Sequence, residues 1–126
     1  MSVIGQSVAR IDAVGKVRGE TLYPGDFNLP GQAHMKVLFA GHPHAIVRSI
    51  DFTEAESIPG VIAVFTAKDV PVNEYGLGVP DQPVLCGPGS TNPYGDRVRF
   101  VGDHVALVVA ETEEIAAQAC AKIRVD

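Results

Sequence analysis

Apolar and polar residues alternate with a period of two along QAHMKVLFAG, Gln32 to Gly41. Ala33, Met35, Val37 and Phe39 interleave with His34, Lys36 and Leu38, the pattern of a strand with one face turned inward. A second alternating run, AIVRSID from Ala45 to Asp51, predicts another strand. Thr53-Glu54-Ala55-Glu56 has the form of a capping box, in which Thr53 accepts from a backbone amide and Glu56 reaches back. The helix it opens must be short, because Pro59-Gly60 stops it. GVIAVFT follows without polar interruption, the pattern of a strand covered on both faces. Thr66-Ala67-Lys68-Asp69 then starts one more helical turn.

The pattern lapses over residues 71–95, where ten of twenty-five residues are Gly or Pro. So long a connection without its own period is uncommon inside a compact domain, and it reads as a shaped loop packed on something. Periodicity returns in RVRFVGDHVALVVAE, two strand pieces around Gly102-Asp103. Thr112 is placed to cap a final helix, with Glu113 and Glu114 in its first turn and Lys122 in its last. Ile115, Ala116, Ala119, Cys120 and Ile123 line one side of it. The sequence closes on IRVD, which reads as the start of a strand, so the chain is expected to continue in a larger polypeptide. Residues 1–31 are polar and glycine-rich, with a possible short strand over Glu20–Tyr23 and turn signals at Pro24-Gly25-Asp26 and Leu29-Pro30-Gly31. Together these elements predict an α+β (mixed α/β) fold, a mixed β-sheet with two or three short helices packed on it, as a single domain over 1–126.

Composition narrows the function classes. The chain has 126 residues, ten basic and fifteen acidic, for a net charge of −5. That charge argues against nucleic acid or an anionic membrane as the main partner; Arg97 and Arg99 share one side of an extended segment but read as a solvated face. The start, MSVIGQSVARID, lacks the basic and apolar regions of a leader. The apolar run Val105–Ala110 is too short to span a bilayer. Two cysteines make neither a disulfide framework nor a C-x-x-C metal site, and a reducing, cytoplasmic setting is inferred. Cys120 is expected to be a small buried hydrophobe and Cys86, in the loop, to be exposed.

Few residues invite chemistry. His42 and His44 are two apart, the spacing that puts both imidazoles on one side of a strand, but Pro43 forces a bend between them and no nearby Cys, Asp or Glu completes a ligand set. His34 and His104 stand alone in strands. Gly76-Leu77-Gly78 and Gly87-Pro88-Gly89-Ser90 lack the Lys-Ser/Thr and the strand-then-helix placement of a phosphate loop. Ser7, Ser49, Ser57 and Ser90 have no nucleophile-elbow context. Glu54, Glu56, Asp69, Glu113 and Glu114 have helix-cap explanations, and none sits in an apolar run that would tune it as a general acid or base. The residues alone describe a scaffold or docking domain without its own reaction centre, or, alternatively, an autonomous binding module that presents the loop 71–95 to a small ligand or a protein.

Four blocks, ARIDAVGKVRGETLYPGDFNLPG, GHPHAIVRSIDFTEAESIPGVIAVFTAKD, VPDQPVL and RVRFVGDHVALVVAETEEIAAQA, occur in order between Ala9 and Val125. In them the chain resembles the a/b hammerhead domain of the molybdenum-binding (large) subunit of the aldehyde oxidase and xanthine dehydrogenase family. The resemblance implies an oxidoreductase that hydroxylates aldehydes, purines or other N-heterocycles with water as oxygen source. It implies a molybdenum–pterin cofactor, two [2Fe–2S] clusters and often FAD in the full enzyme. Partners would be the cofactor-binding domains of the same subunit and the iron–sulfur and flavin subunits or domains. The family's catalytic and cofactor-binding residues lie outside this segment, so the resemblance assigns none here: no catalytic, no cofactor-binding and no metal-binding residue. In the block that commonly reads SPHAHA, His44 is kept, Ile46 replaces the second histidine and His42 is extra. The loop Cys86–Asp96 is longer than usual and is the expected place for a lineage-specific contact. His42-Pro43-His44 is accordingly read as a bend joining two strands of a supporting domain.

Overall fold

The computed structural model describes residues 4–126; Met1 to Val3, at the head of the stretch read as lacking a leader, lie outside the described residues. Two compact units are present, Met1–Pro30 and Gly31–Asp126. In the first, the short strand expected at Glu20–Tyr23 is not formed, and a helix α1, Ala13–Arg18, stands where none was read. Its register is fixed by charge rather than apolar period: Asp12 holds Lys16 one turn on at 2.6 Å and Arg10 at 2.7 Å. Gly19, at φ 71°, ends the helix in the left-handed conformation that costs glycine least. Among the described residues this unit buries none, and Val14 and Val17 of α1 stay exposed.

The second unit carries the core. Strand β1, His34–Phe39, pairs antiparallel with β6, His104–Ala110, and β6 pairs antiparallel with β4, Val61–Phe65, giving a three-stranded sheet β1-β6-β4. Helices α2, Thr53–Glu56, and α3, Glu113–Cys120, lie on one side of it. There Ala55 of α2 and Ala116, Ala119 and Cys120 of α3 pack with Val64, Ala106, Val108 and Ala110, closed at the end by Ile123. The alanines let the helix backbone come close to the sheet, and close packing there follows from their small volume. Thr112 caps α3 as expected, its Oγ1 accepting from the Ile115 amide at 3.2 Å. Lys122, expected in the last turn of α3, lies beyond it and bonds Glu54 of α2 at 2.6 Å.

The structure departs from the sequence pattern at four further points. The single strand Ala45–Asp51 is two, β2 Ala45–Ile46 and β3 Ile50–Asp51, because the chain changes partners between them. β2 pairs with β5, Arg97–Val98, and β3 with β7, Arg124–Val125, while the Arg48 amide between them bonds the Asp126 carbonyl at 2.7 Å. The start of α2 is capped by Asp51, which accepts from the Thr53 amide at 3.1 Å, and the Thr53 side chain makes no cap bond. Strand β4 is covered on one face only: Val64 is buried, Phe65 is 43% exposed and Ile62 59% exposed. A continuous apolar run also arises when a strand's second face is apolar but bare. Finally, β1 turns His34, Lys36 and Leu38 toward the helices, since Lys36 pairs with Val108 in the ladder and reaches Glu113 of α3 at 3.4 Å. The short helix stopping at Pro59-Gly60, the 3-10 turn Ala67–Asp69 after Thr66, the two strand pieces around Gly102-Asp103 and the strand in IRVD are all formed. With short helices against a small sheet, the fold is of the α+β class.

Candidate functional site

Residues 71–95 hold no regular element beyond one bridge between Tyr75 and Gln82, yet they are ordered from within. The organiser is Asn73, whose residue is fully buried. Its Nδ2 donates to the Leu85 carbonyl and to Ser90 Oγ, both at 2.7 Å. Its Oδ1 accepts from the amides of Val84 at 2.8 Å and Leu85 at 2.9 Å. Thus one amide side chain uses both donors and both acceptor sites, its full capacity. The Asn73 backbone N–H donates to Thr91 Oγ1 at 3.0 Å, tying the two arms of the loop a second time. Gly95 is required beside this hub, since a Cβ there would stand 2.0 Å from Ser90 Oγ.

The loop is then pinned to the strands. The Cys86 amide donates to the His104 carbonyl at 2.6 Å, which draws Leu85 and Cys86 inward to 1% exposure each. Cys86 is therefore not exposed as expected; it joins Val47, Val98 and Val105 in a second apolar cluster. Asp103 Oδ2 accepts from the amides of Arg99 at 2.5 Å and Phe100 at 3.2 Å, closing the turn between β5 and β6. Arg99 in turn donates to the Asp81 carbonyl at 3.0 Å, and the two regions line an open pocket of about 380 Å³ with Gln82 and Phe100. The loop's tip is unlike its base: Tyr75, Leu77 and Val79 are exposed. A second, more apolar cavity of about 330 Å³ lies where β1, β2 and β7 meet, lined by Leu38, Phe39, Val105 and Ile123, with His42 and Asp126 at its polar part.

The residues singled out for chemistry are dispersed. His42-Pro43-His44 is an exposed bend between β1 and β2, entered through Gly41 at φ 68°. His34 opens β1 and His104 opens β6, at opposite ends of their shared ladder. His104 packs its ring against Phe39 at 5.5 Å. Among the described residues, no three of His, Cys, Asp and Glu converge as a metal-ligand set. Ser90 serves the Asn73 hub, which no motif announced: a single asparagine in a glycine–proline tract has no spacing to betray it.

Both thiols are held protonated at neutral pH. Burial first, then the charges of Asp103 and Asp96, push Cys86 up to about 11, and burial likewise raises Cys120. Neither is activated as a nucleophile at neutral pH. The shifts set the pH limits of stability. A thiol raised from 9.0 to about 11 binds more protons folded than unfolded, so stability falls as pH rises through that interval. The carboxyls of Asp51, lowered by the Thr53 amide, and Glu54, lowered by Lys122, do the reverse: their stabilisation is full above the unfolded values of 3.8 and 4.5 and is lost as pH falls below them. Urea midpoints across pH should therefore show a plateau from about 5 to 9 with falls on both sides; Cys86→Ser should relieve the alkaline fall.

The family model described as "Aldehyde oxidase and xanthine dehydrogenase, a/b hammerhead domain" matches residues 18–126. A probable xanthine dehydrogenase subunit of Bacillus subtilis strain 168 is 48% identical over 121 residues, 95% of this chain and 15% of that protein. The nicotinate dehydrogenase large molybdopterin subunit of Eubacterium barkeri is 30% identical over 125 residues, 98% of this chain and 28% of that protein. Among solved structures, the reconstituted CO dehydrogenase from Oligotropha carboxidovorans superposes with a TM-score of 0.81 at 31% identity, over 97% of this chain and 15% of that one. The chain thus spans between about one seventh and under one third of these proteins' length.

Proposed function

The chain belongs to the a/b hammerhead domain family of the aldehyde oxidases and xanthine dehydrogenases, and from that membership we propose that it is a structural and interface domain of a molybdenum-cofactor-dependent hydroxylase, without a reaction of its own. Residues 1–126 act as one such segment. The full enzyme oxidises an aldehyde, purine or N-heterocycle, with water supplying the oxygen, and works in the cytoplasm with iron–sulfur and flavin partners. A molybdenum–pterin group, when bound in the large subunit, supplies the two-electron oxidation; this chain's part is to hold neighbouring surfaces in fixed geometry so that remote chemistry is correctly aligned.

The observation that carries this reading is the saturation of the polar interior. Asn73 spends its whole hydrogen-bonding capacity inside the loop, and among the described residues no buried side-chain nitrogen or oxygen is left without a partner. A pterin or a metal–oxygen centre is held by polar groups that point at it unpaired until it arrives. The residues of this chain therefore do not fit the molybdenum–pterin group. The test is turnover: the purified chain should oxidise neither aldehydes nor purines with a dye acceptor, whereas the complete subunit carrying it should.

A second reading, an autonomous module presenting the loop 71–95 to a small ligand or a protein, draws support from the exposed tip Tyr75, Leu77 and Val79 above a rigid base. Reading the frame beyond the codon for Asp126 separates the two. Continuation into a long coding sequence supports the first, and a stop codon the second.

A further inference from the structure

The sheet β1-β6-β4 has a second face, and its chemistry is the reverse of what water selects. Two ladder rows cross all three strands on the side away from the helices: Met35–Val109–Ala63 and Val37–Leu107–Phe65. All six side chains are apolar. Met35 is 61% exposed and Phe65 43% exposed, and none of the six belongs to either buried cluster. In an antiparallel sheet with one solvated face, that face ordinarily carries the polar residues. Here the polar residues of β1, His34 and Lys36, are on the helix side, where Lys36 is engaged by Glu113. The arrangement leaves the outer rows without a charge or a hydrogen-bonding side chain.

We propose that this face is the docking site for the cofactor-binding remainder of the large subunit, which seats an uncharged aliphatic or aromatic surface across Met35, Val37, Leu107, Val109 and Phe65. The inference rests on the reading of the chain as an interface domain and adds which surface makes the interface. Two rows on three strands spaced about 4.8 Å apart give a patch on the order of 200 Å². A free-standing dimer needs about 800 Å² per partner, so a second copy of this chain is too weakly held by this face alone. A partner joined through the same polypeptide meets it at an effective concentration in the millimolar range, and a small apolar patch is then sufficient. The relatives carry such a remainder, since this chain spans only 15% of the Bacillus subtilis protein and 15% of the CO dehydrogenase chain. At the β4 edge docking is by the face and not by strand addition, because the extra residue Ile62 between Val61 and Ala63 bulges that strand.

Methionine oxidation reads this face directly, since Met35 lies within it and thioether oxidation follows exposure. Hydrogen peroxide is applied to the 126-residue chain and to the complete subunit in its native assembly, and the peptide containing residue 35 is weighed over time. Met35 should be oxidised in the chain alone and at least about tenfold more slowly in the complete subunit. Equal rates in a complete, molybdenum-loaded subunit would overturn the surface assignment while leaving the supporting role intact. Protection of Met35 in the chain alone, accompanied by a doubled mass in solution, would assign the face to a second copy and also overturn the proposal. Met35→Lys supplies the independent arm: it should leave the thermal midpoint of the 126-residue chain unchanged and lower that of the complete subunit, and equal effects on both would count against docking.

Discussion

Asn73→Ala should lower the unfolding free energy by about 2–4 kcal/mol, among the largest losses available to a single substitution outside the helix-packed core. The substitution orphans the amides of Val84 and Leu85 and the carbonyl of Leu85, in a site where Asn73 is fully buried and Leu85 1% exposed. Water is the only replacement, and the loop's inner turn leaves it little access. Asn73→Asp tests the mechanism further. It keeps the two acceptors for Val84 and Leu85 but replaces the donor to the Leu85 carbonyl with a carboxylate oxygen, so it too should destabilise strongly. Urea titration gives the answer: the midpoint should fall for both variants with little change in slope. A loop that merely wraps the surface would lose under 0.5 kcal/mol at this position.

The second large effect separates the two faces of β6. Val108→Ala should cost about 2–3 kcal/mol, because Val108 is fully buried between sheet and helices and its loss leaves a cavity. Val109→Ala, one residue on and chemically identical, should cost under about 1 kcal/mol in this chain, since Val109 lies on the face away from the helices and is only half-buried. Equal losses at both positions would mean that the sheet is covered on both faces in the chain by itself. In the complete subunit the two costs should converge, since docking buries the second face.

The same contrast explains what could be read from the sequence. Element types were legible wherever local chemistry decides them: Thr112 before Glu113-Glu114, Pro59-Gly60 after a short acidic helix, and Gly102-Asp103 between apolar runs all act within a few residues. The a/b hammerhead family was legible in the four ordered blocks, and the family match over residues 18–126 agrees with it. Which face is buried was not legible, since hydropathy reports that Met35, Val37 and Phe65 avoid water but not what removes them from it. GVIAVFT reads as doubly covered because both of its faces are apolar, although only one is covered within this chain. The division of Ala45–Asp51 was hidden for another reason: its partners, Arg97–Val98 and Arg124–Val125, are some fifty to eighty residues away. Cys86 was misplaced because a glycine–proline tract suggests solvent, whereas one buried asparagine folds that tract back onto the core. Helix α1 depends on Asp12 meeting Arg10 and Lys16, charges that by pattern alone are an ordinary solvated surface.

Molybdenum stoichiometry tests the central claim most directly. Elemental analysis of the purified 126-residue chain, expressed in cells that make the cofactor, should find no molybdenum, and the complete subunit purified from the same cells should hold close to one atom per chain. Molybdenum retained at close to one equivalent by the 126 residues alone would contradict the account.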